Sequence, residues 1–264
     1  MLVPIVIQTF NRVLYTQHVI ASIKNNLLYR NKIIIVDNGS TDGTVEYLQL
    51  MLNLGHINHL ILNSENKGIA EPKNQGLEVV KEWAKTEEIK YVMVTDNDIA
   101  FPLVRTQHQN GCKCALAHMV ELMDNSPHIG MLGIDLQRDN APGYQEWWWR
   151  LRQHPSNNPE FAEISIGFWG ALLRFELFNE LSFTCDSNYG KCDEACRNYI
   201  YMVKKQKIGL WKGVFDAQKK CTTPCLGCHI GWSEDQQKFP EYNLMKKLER
   251  AKAEKAWKEK DRKW

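Results

Sequence analysis

Short apolar runs alternate with stretches of helical spacing along the N-terminal part of the chain. Four continuous runs, rich in β-branched or other apolar residues, are typical of strands buried in a sheet. They are residues 2–8, 32–36, 58–62 and 90–95. Helical spacing is seen at residues 15–28, 44–54 and from 66 to about 85. This alternation favours right-handed βαβ units, and therefore an α/β fold with a mostly parallel central sheet flanked by helices.

The second half of the chain has a less regular pattern. Helices are predicted at residues 111–124 and 193–206, and a strand-like piece followed by a helix is predicted at 164–181. Loop-rich stretches are expected at residues 137–160 and 211–235, before a charged helix at 241–262. We therefore expect two halves and a basic helical tail. Their bounds are residues 1–105, 106–235 and 236–264.

Composition changes this picture little. The 264 residues are 44% hydrophobic and 24% charged, which excludes disorder, collagen and coiled coil as the main state. We identify neither a membrane-spanning run nor a secretory signal, so a cytoplasmic protein is expected.

The net charge of +2 combines +5 in residues 246–264 with −3 in the rest. The tail is interpreted either as a solvated helix with Glu–Lys pairs or as a contact for an anionic surface.

Cysteine spacing raises the question of a second metal. Cys221, Cys225 and Cys228 precede His229 at spacings that suit structural Zn²⁺, and Cys192 could add a ligand from a helix. Buried or free thiols are the alternative, because cysteine also behaves as a small apolar residue.

Polar clusters follow three of the predicted strands, at residues 9–12, 37–44 and 96–98. In parallel sheets ligands bind beyond the carboxyl ends of the strands, so this convergence indicates a binding site. Asp96 and Asp98 are hard oxygen ligands of the kind that divalent cations prefer. Asp37 is interpreted as a ligand contact, whereas Ser40 and Asp42 are expected to cap the following helix.

Seven segments in one collinear order resemble family-2 glycosyltransferases of the glycosyltransferase-A fold. They are PIVIQTFNR at 4–12, IIIVDNGSTDGT at 33–44, NKGIAEPKNQGL at 66–77, VTDNDIAFP at 94–102, GFWGALLRFELF at 167–178, FTCDSNYGKCDEA at 183–195 and HIGWS at 229–233. Each motif is weak alone, but their shared order is specific. The resemblance implies a nucleotide-sugar-binding half at 1–105 and an acceptor-binding, catalytic half at 106–235.

The resemblance also implies roles for the nucleotide-binding residues. The loop after the first strand, with Thr9, Asn11 and Arg12, would wrap the nucleotide. Asp37 would read the base, typically uracil, and Lys73 stands where the family commonly has arginine. The metal site would be Mg²⁺ or Mn²⁺ bridging the diphosphate. Its implied residues are Asp96, which would face the ribose or the metal, Asp98 and the late histidine His229.

The acceptor side is implied in the same way. Asp193 and Glu194 align with the carboxylate pair that supplies the catalytic base, in reversed order, and Asp193 is favoured. Trp169 and Gly170 are predicted acceptor contacts, and Asp186 is a secondary one.

The expected function is metal-dependent transfer of a sugar from a nucleotide sugar, UDP-linked by resemblance, to an acceptor hydroxyl with inversion. The acceptor is a glycan, a protein or a hydroxymethylated DNA base. Two alternatives remain. A sugar nucleotidyltransferase would need a glycine-rich phosphate loop after the first strand, which residues 9–12 lack. A catalytically inactive nucleotide- or nucleic-acid-binding module would not need both carboxylate pairs.

Overall fold

The computed structural model of the chain contains a mixed sheet of eight strands among the residues that the structure describes. Those residues are 1–102, 106–108, 111–134, 161–163, 168, 170–183, 196, 199–211 and 228–229. The strands of this sheet are β1 (Val3–Thr9), β2 (Asn31–Asp37), β3 (His59–Leu62), β4 (Tyr91–Asp96), β8 (Ile129–Ile134), β9 (Phe161–Glu163), β10 (Ala171–Arg174) and β11 (Lys207–Trp211). Their order across the sheet is β3-β2-β1-β4-β10-β8-β11-β9. Strands β1 to β4 are parallel, whereas β10 runs antiparallel to both β4 and β8.

Four α-helices, four short strands, a 3₁₀-helix and a π-helical turn complete the described elements. The helices are α1 (Val13–Asn26), α2 (Thr44–Asn53), α3 (Ala70–Trp83) and α4 (Ala115–Asp124). The strands are β5 (Ile99–Ala100), β6 (Thr106–His108), β7 (Gly111–Lys113) and β12 (Cys228–His229), which pair as β5 with β12 and β6 with β7. The described helices lack the length and apolar character that crossing a bilayer requires.

Side-chain alternation along the strands divides the core between the two faces of the sheet. Ile5 and Ile7 face one cluster, which includes residues of α1, α2 and α4. Val6 faces the other cluster, which includes Leu77 and Val80 of α3. Gly76 lets α3 approach β1 closely, since a Cβ at this position would overlap the Val6 side chain. The period of two in β-strands therefore places helices on both sides of the sheet.

The predicted α/β class is confirmed, and the first four strands and three helices lie within a few residues of their predicted bounds. This agreement is expected where each pattern is local. A fully apolar run of β-branched residues and a repeat of apolar residues at helical spacing report the two backbone periods directly.

The second half corrects several predictions. The helix predicted from residue 111 begins at Ala115, because Gly111–Lys113 forms a strand paired with β6. Residues 171–174 form a strand buried between β4 and β8, and only a 3₁₀-helix, Phe175–Asn179, follows. Of the helix predicted at 193–206, the structure describes a π-helical turn at Tyr199–Val203 and a helical Cys196. Strand pairing decides the first two of these outcomes, and local spacing does not encode that pairing.

Strands β8 and β11 were not predicted. Glycines at 130 and 133 depress the strand signal of β8. Gly130 has a packing reason, since a Cβ there would lie 2.6 Å from Cγ2 of Ile200. The predicted division into halves and a tail stays a prediction, and the tail at 236–264 lies outside the described residues.

Candidate functional site

The carboxyl ends of three parallel strands meet at one edge of the sheet. Thr9 of β1 is in register with Asp37 of β2, and Gln8 is in register with Asp96 of β4. The loops after β1, β2 and β4 therefore start side by side. The three polar clusters singled out in the sequence are brought together in this way.

The turn after β2 is built around Asp37. Its carboxylate is fully buried and accepts hydrogen bonds from the backbone N–H of Gly39 (3.1 Å) and Ser40 (2.9 Å) and from Ser40 Oγ (2.5 Å). Gly39 has a φ of +83°, and a Cβ there would lie 2.8 Å from the backbone carbon of Glu65. In this structure Asp37 holds the turn, and its predicted contact with a base stays a prediction.

The adjacent residue, Asn38, ties the same turn to the loop after β3. Its side-chain amide donates to Asn66 Oδ1 (2.8 Å) and to the carbonyl of Gly68 (2.9 Å). Its side-chain oxygen Oδ1 accepts a hydrogen bond from the backbone N–H of Lys67 at 3.0 Å. Because Asn38 is fully buried, these bonds satisfy its polar atoms and fix the loop between β3 and α3.

The loop after β1 has an unusual backbone. Asn11 and Arg12 have φ values of 56° and 66°, in the left-handed region that non-glycine residues rarely adopt. Neighbouring groups hold this conformation: Asn11 N–H donates to Ser40 Oγ (2.7 Å), and Thr41 N–H donates to Asn11 Oδ1 (2.9 Å). Such backbone strain persists only where surrounding contacts impose it, and it concentrates at functional sites.

Asp42 caps two helices at this edge: α2, the following helix for which a cap is predicted, and also α1. It accepts from Val13 N–H of α1 (3.1 Å) and from the N–H (3.2 Å) and hydroxyl (2.5 Å) of Thr44 at the start of α2. Burial opposes ionisation, but the hydrogen bonds from Thr44 and Val13 outweigh it and lower the pKa of Asp42. The carboxylate therefore remains ionised and fixes the starts of both helices.

Asn97, between the two carboxylates after β4, was not singled out from the sequence. It is 7% exposed, and its amide nitrogen lies 2.9 Å from Thr9 Oγ1, 3.1 Å from Thr16 Oγ1 and 3.1 Å from the Asn11 carbonyl. The only sequence signal was its place inside Asp-Asn-Asp. Asn97 fastens the turn carrying Asp96 and Asp98 to the strained loop after β1.

Each carboxylate of this turn is paired with a cation. Asp96 Oδ1 lies 3.2 Å from Lys73 Nζ, and Lys73 also donates to Gln8 Oε1 at 2.9 Å. The Lys73 ammonium, 1% exposed, lies 5.3 Å from the ring centroid of Phe168. Asp98 Oδ2 lies 3.1 Å from the guanidinium of Arg12. Of the predicted residues, the structure thus joins Thr9, Asn11, Arg12, Asp37, Lys73, Asp96 and Asp98 in one network.

The donor atoms of this turn fit Mg²⁺ or Mn²⁺. Both cations prefer carboxylate oxygens and complete their shell with water and substrate phosphates, so one or two carboxylates suffice. Asp96 keeps 45% of its side chain exposed, so such a cation can reach it from solvent. Strand β12 places the backbone of His229 opposite Ile99, the residue after Asp98. No cluster of three or more potential metal ligands occurs among the described residues.

The zinc prediction falls mostly on residues that the structure does not describe. Cys192, Cys221 and Cys225 lie outside the described residues. Cys228 is placed only by its backbone, which pairs with Ala100. Structural Zn²⁺ therefore stays a prediction.

Hydrogen bonds of Asn74 and Gly170 also join this edge of the sheet to the second half of the chain. Asn74 of α3 exchanges two 2.8 Å hydrogen bonds with the backbone N–H and carbonyl of Phe183. Gly170, with a φ of +59°, donates its N–H to Thr95 Oγ1 at 3.2 Å. The predicted acceptor and catalytic residues Trp169, Asp186, Asp193 and Glu194 lie outside the described residues, and their roles stay predictions.

Comparison with protein families gives a match over the same region. Residues 5–109 match the model described as "Glycosyl transferase family 2". No curated protein sequence matches the chain. The resemblance inferred from the motifs is confirmed for the matched residues, which include all three strand-end clusters.

Solved structures of low sequence identity share the fold. Residues 1–349 of TarS from S. aureus, in complex with UDP, are 17% identical at a TM-score of 0.54, covering 80% of this chain and 57% of that chain. The mannosyltransferase PcManGT from Pyrobaculum calidifontis, in complex with GDP-Man and Mn²⁺, is 18% identical at a TM-score of 0.56, covering 84% and 58%. This likeness confirms the predicted glycosyltransferase-A architecture, and the chain spans less than two thirds of either relative.

Proposed function

We propose, from the match of residues 5–109 to the model of glycosyl transferase family 2, that the chain transfers a sugar from a nucleotide sugar to an acceptor hydroxyl. One observation carries the proposal: a continuous network at a single sheet edge links Asp37, through Ser40, Asn11 and Asn97, to the turn bearing Asp98. A nucleoside diphosphate bound across this edge would contact both the residue proposed for the base, Asp37, and the turn proposed for the diphosphate.

The proposed donor is a UDP-sugar. Support comes from TarS, which was solved with UDP, and from the sequence resemblance at Asp37. PcManGT was solved with GDP-Man, so a GDP-sugar is the alternative donor to test against the UDP-sugar. Lys73 replaces the arginine common in the family; it keeps the charge but lacks the planar fork of a guanidinium.

The chain's own cations would stabilise the departing nucleoside diphosphate. Lys73 lies 3.2 Å from Asp96 and Arg12 lies 3.1 Å from Asp98. Positive charge beside the diphosphate would lower the energy of the negative charge that develops in the transition state. Mg²⁺ or Mn²⁺ held by Asp96 and Asp98, with His229 proposed as a neighbour, would supply Lewis-acid charge at the diphosphate when bound.

We assign the base to Asp193, with Glu194 as its alternative. The carboxylate would take the proton of the acceptor hydroxyl as that oxygen attacks the anomeric carbon. A single displacement opposite the leaving diphosphate inverts the anomeric centre. Trp169, Gly170 and Asp186 are the proposed acceptor contacts. The acceptor class, a glycan, a protein or a hydroxymethylated DNA base, is left to the assay.

Incubation with a panel of UDP- and GDP-sugars tests the proposal, with Mn²⁺ or with EDTA, followed by mass spectrometry of candidate acceptors. We expect one donor to be consumed only with metal, and NMR of the product to show inversion. Asp98→Ala should abolish metal-dependent turnover, and Asp193→Ala should retain nucleotide binding but stop transfer. The control Glu78→Ala removes an exposed carboxylate of α3 and should leave turnover unchanged.

Absence of turnover and of nucleotide binding with every donor would contradict the proposal. Nucleotide binding without turnover would instead favour an inactive nucleotide-binding module. Release of pyrophosphate from a nucleoside triphosphate and a sugar phosphate would identify a nucleotidyltransferase.

A further inference from the structure

The two cations that neutralise the Asp96–Asp98 turn differ in how firmly they are held. Lys73 has a 1% exposed side chain, which Gln8 and Asp96 hold beside the ring of Phe168. Arg12 has a 32% exposed side chain and reaches Asp98 from a surface loop. If Lys73 moved away from Asp96, it would therefore lose buried contacts. The Arg12 side chain, in contrast, is already partly exposed to solvent.

The backbone of Arg12 is fixed without help from its side chain. The Arg12 carbonyl accepts from the N–H (3.1 Å) and the hydroxyl (3.2 Å) of Thr16, and the following N–H, of Val13, donates to Asp42. Asn97 holds the preceding carbonyl, of Asn11. The loop backbone therefore does not depend on the Arg12–Asp98 pair to keep its conformation.

A divalent cation and a guanidinium compete for Asp98. Asp98 is only 10% exposed, so water has little room to screen two cations at the same carboxylate. Asp96 differs, since its exposed side can accept a metal while Lys73 holds Oδ1. A metal that takes Asp98 would therefore displace Arg12, whereas a metal at Asp96 would leave the Lys73 pair closed.

We propose that Arg12 is an exchangeable counter-cation: its guanidinium neutralises Asp98 before metal arrives and then moves to the diphosphate of the bound nucleotide. The inference rests on the proposed function, because it needs the metal and the nucleotide at this edge. Its consequence is a coupling between ligands. A nucleotide gives the displaced guanidinium a new partner, so it tightens metal binding, and the metal tightens nucleotide binding by the same factor.

Titration of Mn²⁺, with the free ion followed by electron paramagnetic resonance, tests the exchange without any turnover. The full chain, Arg12→Gln and the control Arg30→Gln are compared alone and with saturating UDP or GDP. Arg30→Gln also removes one positive charge, from a 2.9 Å pair with Glu87 whose arginine side chain is 60% exposed.

We expect Arg12→Gln to bind Mn²⁺ alone about threefold to tenfold more tightly, because the competing cation is gone. We expect the tightening of Mn²⁺ by nucleotide to shrink in this variant by about tenfold, since the diphosphate loses its guanidinium partner. Arg30→Gln should match the unmodified chain in both measurements.

Mn²⁺ affinity that is equal in all three proteins, with nucleotide coupling unchanged, would overturn the exchange and leave the proposed function standing. Weaker Mn²⁺ binding by Arg12→Gln alone would also overturn it, since Arg12 would then support the metal directly. Failure of every protein to bind Mn²⁺, with either nucleotide present, would overturn the metal site and the exchange together.

Discussion

Lys73 and Asp96 form a 3.2 Å ion pair whose members are unequally buried: the lysine is 1% exposed and the carboxylate is 45% exposed. The ammonium has left water almost completely, so it depends on Asp96, Gln8 and the face of Phe168 for compensation. The carboxylate keeps one side in water. This geometry presents negative charge outward at the sheet edge while a fixed positive charge lies behind it.

Lys73→Met should lower both stability and nucleotide binding. Loss of the buried donor leaves Gln8 and Asp96 without this partner, which costs about 1–3 kcal/mol of unfolding free energy. We expect the affinity for the donor nucleotide to fall about tenfold or more. Denaturant unfolding and calorimetric titration measure the two effects.

Lys81→Met is the matched control on the same helix, where an exposed 2.7 Å pair with Glu78 is lost. Its effect on unfolding free energy should stay within about 0.5 kcal/mol. Equal effects of the two variants would contradict the role assigned to the buried lysine.

Asn97→Asp tests whether the amide of Asn97 fastens the two loops. The carboxylate cannot donate to the Asn11 carbonyl, and it adds charge at a position that is 7% exposed between Asp96 and Asp98. We expect a loss of about 1–3 kcal/mol in unfolding free energy at neutral pH. The loss should shrink as the pH falls, because protonation removes the buried charge and restores a donor.

The exposed Asn25→Asp substitution on α1 is the control, and it should change stability little at any pH. An Asn97→Asp chain as stable as the control at neutral pH would show that these hydrogen bonds do not hold the loop.

Gly170→Ala should destabilise the junction between the two halves. Gly170 has a φ of +59°, and an added Cβ would lie 2.9 Å from a ring carbon of Phe101 and 3.2 Å from Ile134. Backbone strain and overpacking together should cost about 2–4 kcal/mol. Gly55 also has a positive φ, of +70°, but nothing lies within 4 Å of its Cβ position.

Comparison of Gly170→Ala with Gly55→Ala by thermal unfolding separates close packing from strain. Gly55→Ala should cost about 1 kcal/mol, from strain alone. If both variants lose the same stability, the approach of Phe101 and Ile134 has no energetic consequence.

Tyr91→Phe tests a partly buried hydrogen bond at the start of β4, the opposite end of this strand from the Asp96–Asp98 turn. Burial, the 2.8 Å hydrogen bond to Asp124 and the charge of Asp124 raise the pKa of Tyr91 to about 12, although Arg174 opposes the shift. The folded state thus retains the tyrosine proton up to a higher pH than the unfolded state does. Its stabilisation is complete below pH 10 and is lost as the pH rises from 10 to about 12.

We therefore expect the unmodified chain to exceed Tyr91→Phe in stability at pH 8, with a difference that narrows above pH 10. Unfolding free energies measured across this range check the trend. Tyr201→Phe, at an exposed position, provides the control. A constant difference would mean that Tyr91 titrates alike in the folded and unfolded chain.

The network at the sheet edge shows where sequence reasoning reached its limit. The Asp-Asn-Asp turn drew attention to its carboxylates, but the burial of Asn97 depends on Thr9 and Thr16, more than 80 residues earlier. Asp37 could be a ligand contact or a turn former from its sequence alone. Its complete burial and three hydrogen bonds show the second use in this structure.

By itself, the sequence determined the alternation of strands and helices up to β4 and the placing of polar clusters after the strands, because backbone period and turn chemistry are local properties. Only the tertiary structure decided which cation pairs with which carboxylate. Arg12 and Asp98 are 86 positions apart, and Lys73 and Asp96 are 23 apart. Their meeting depends on parallel strand register and on the close approach of α3 at Gly76, which no local pattern encodes.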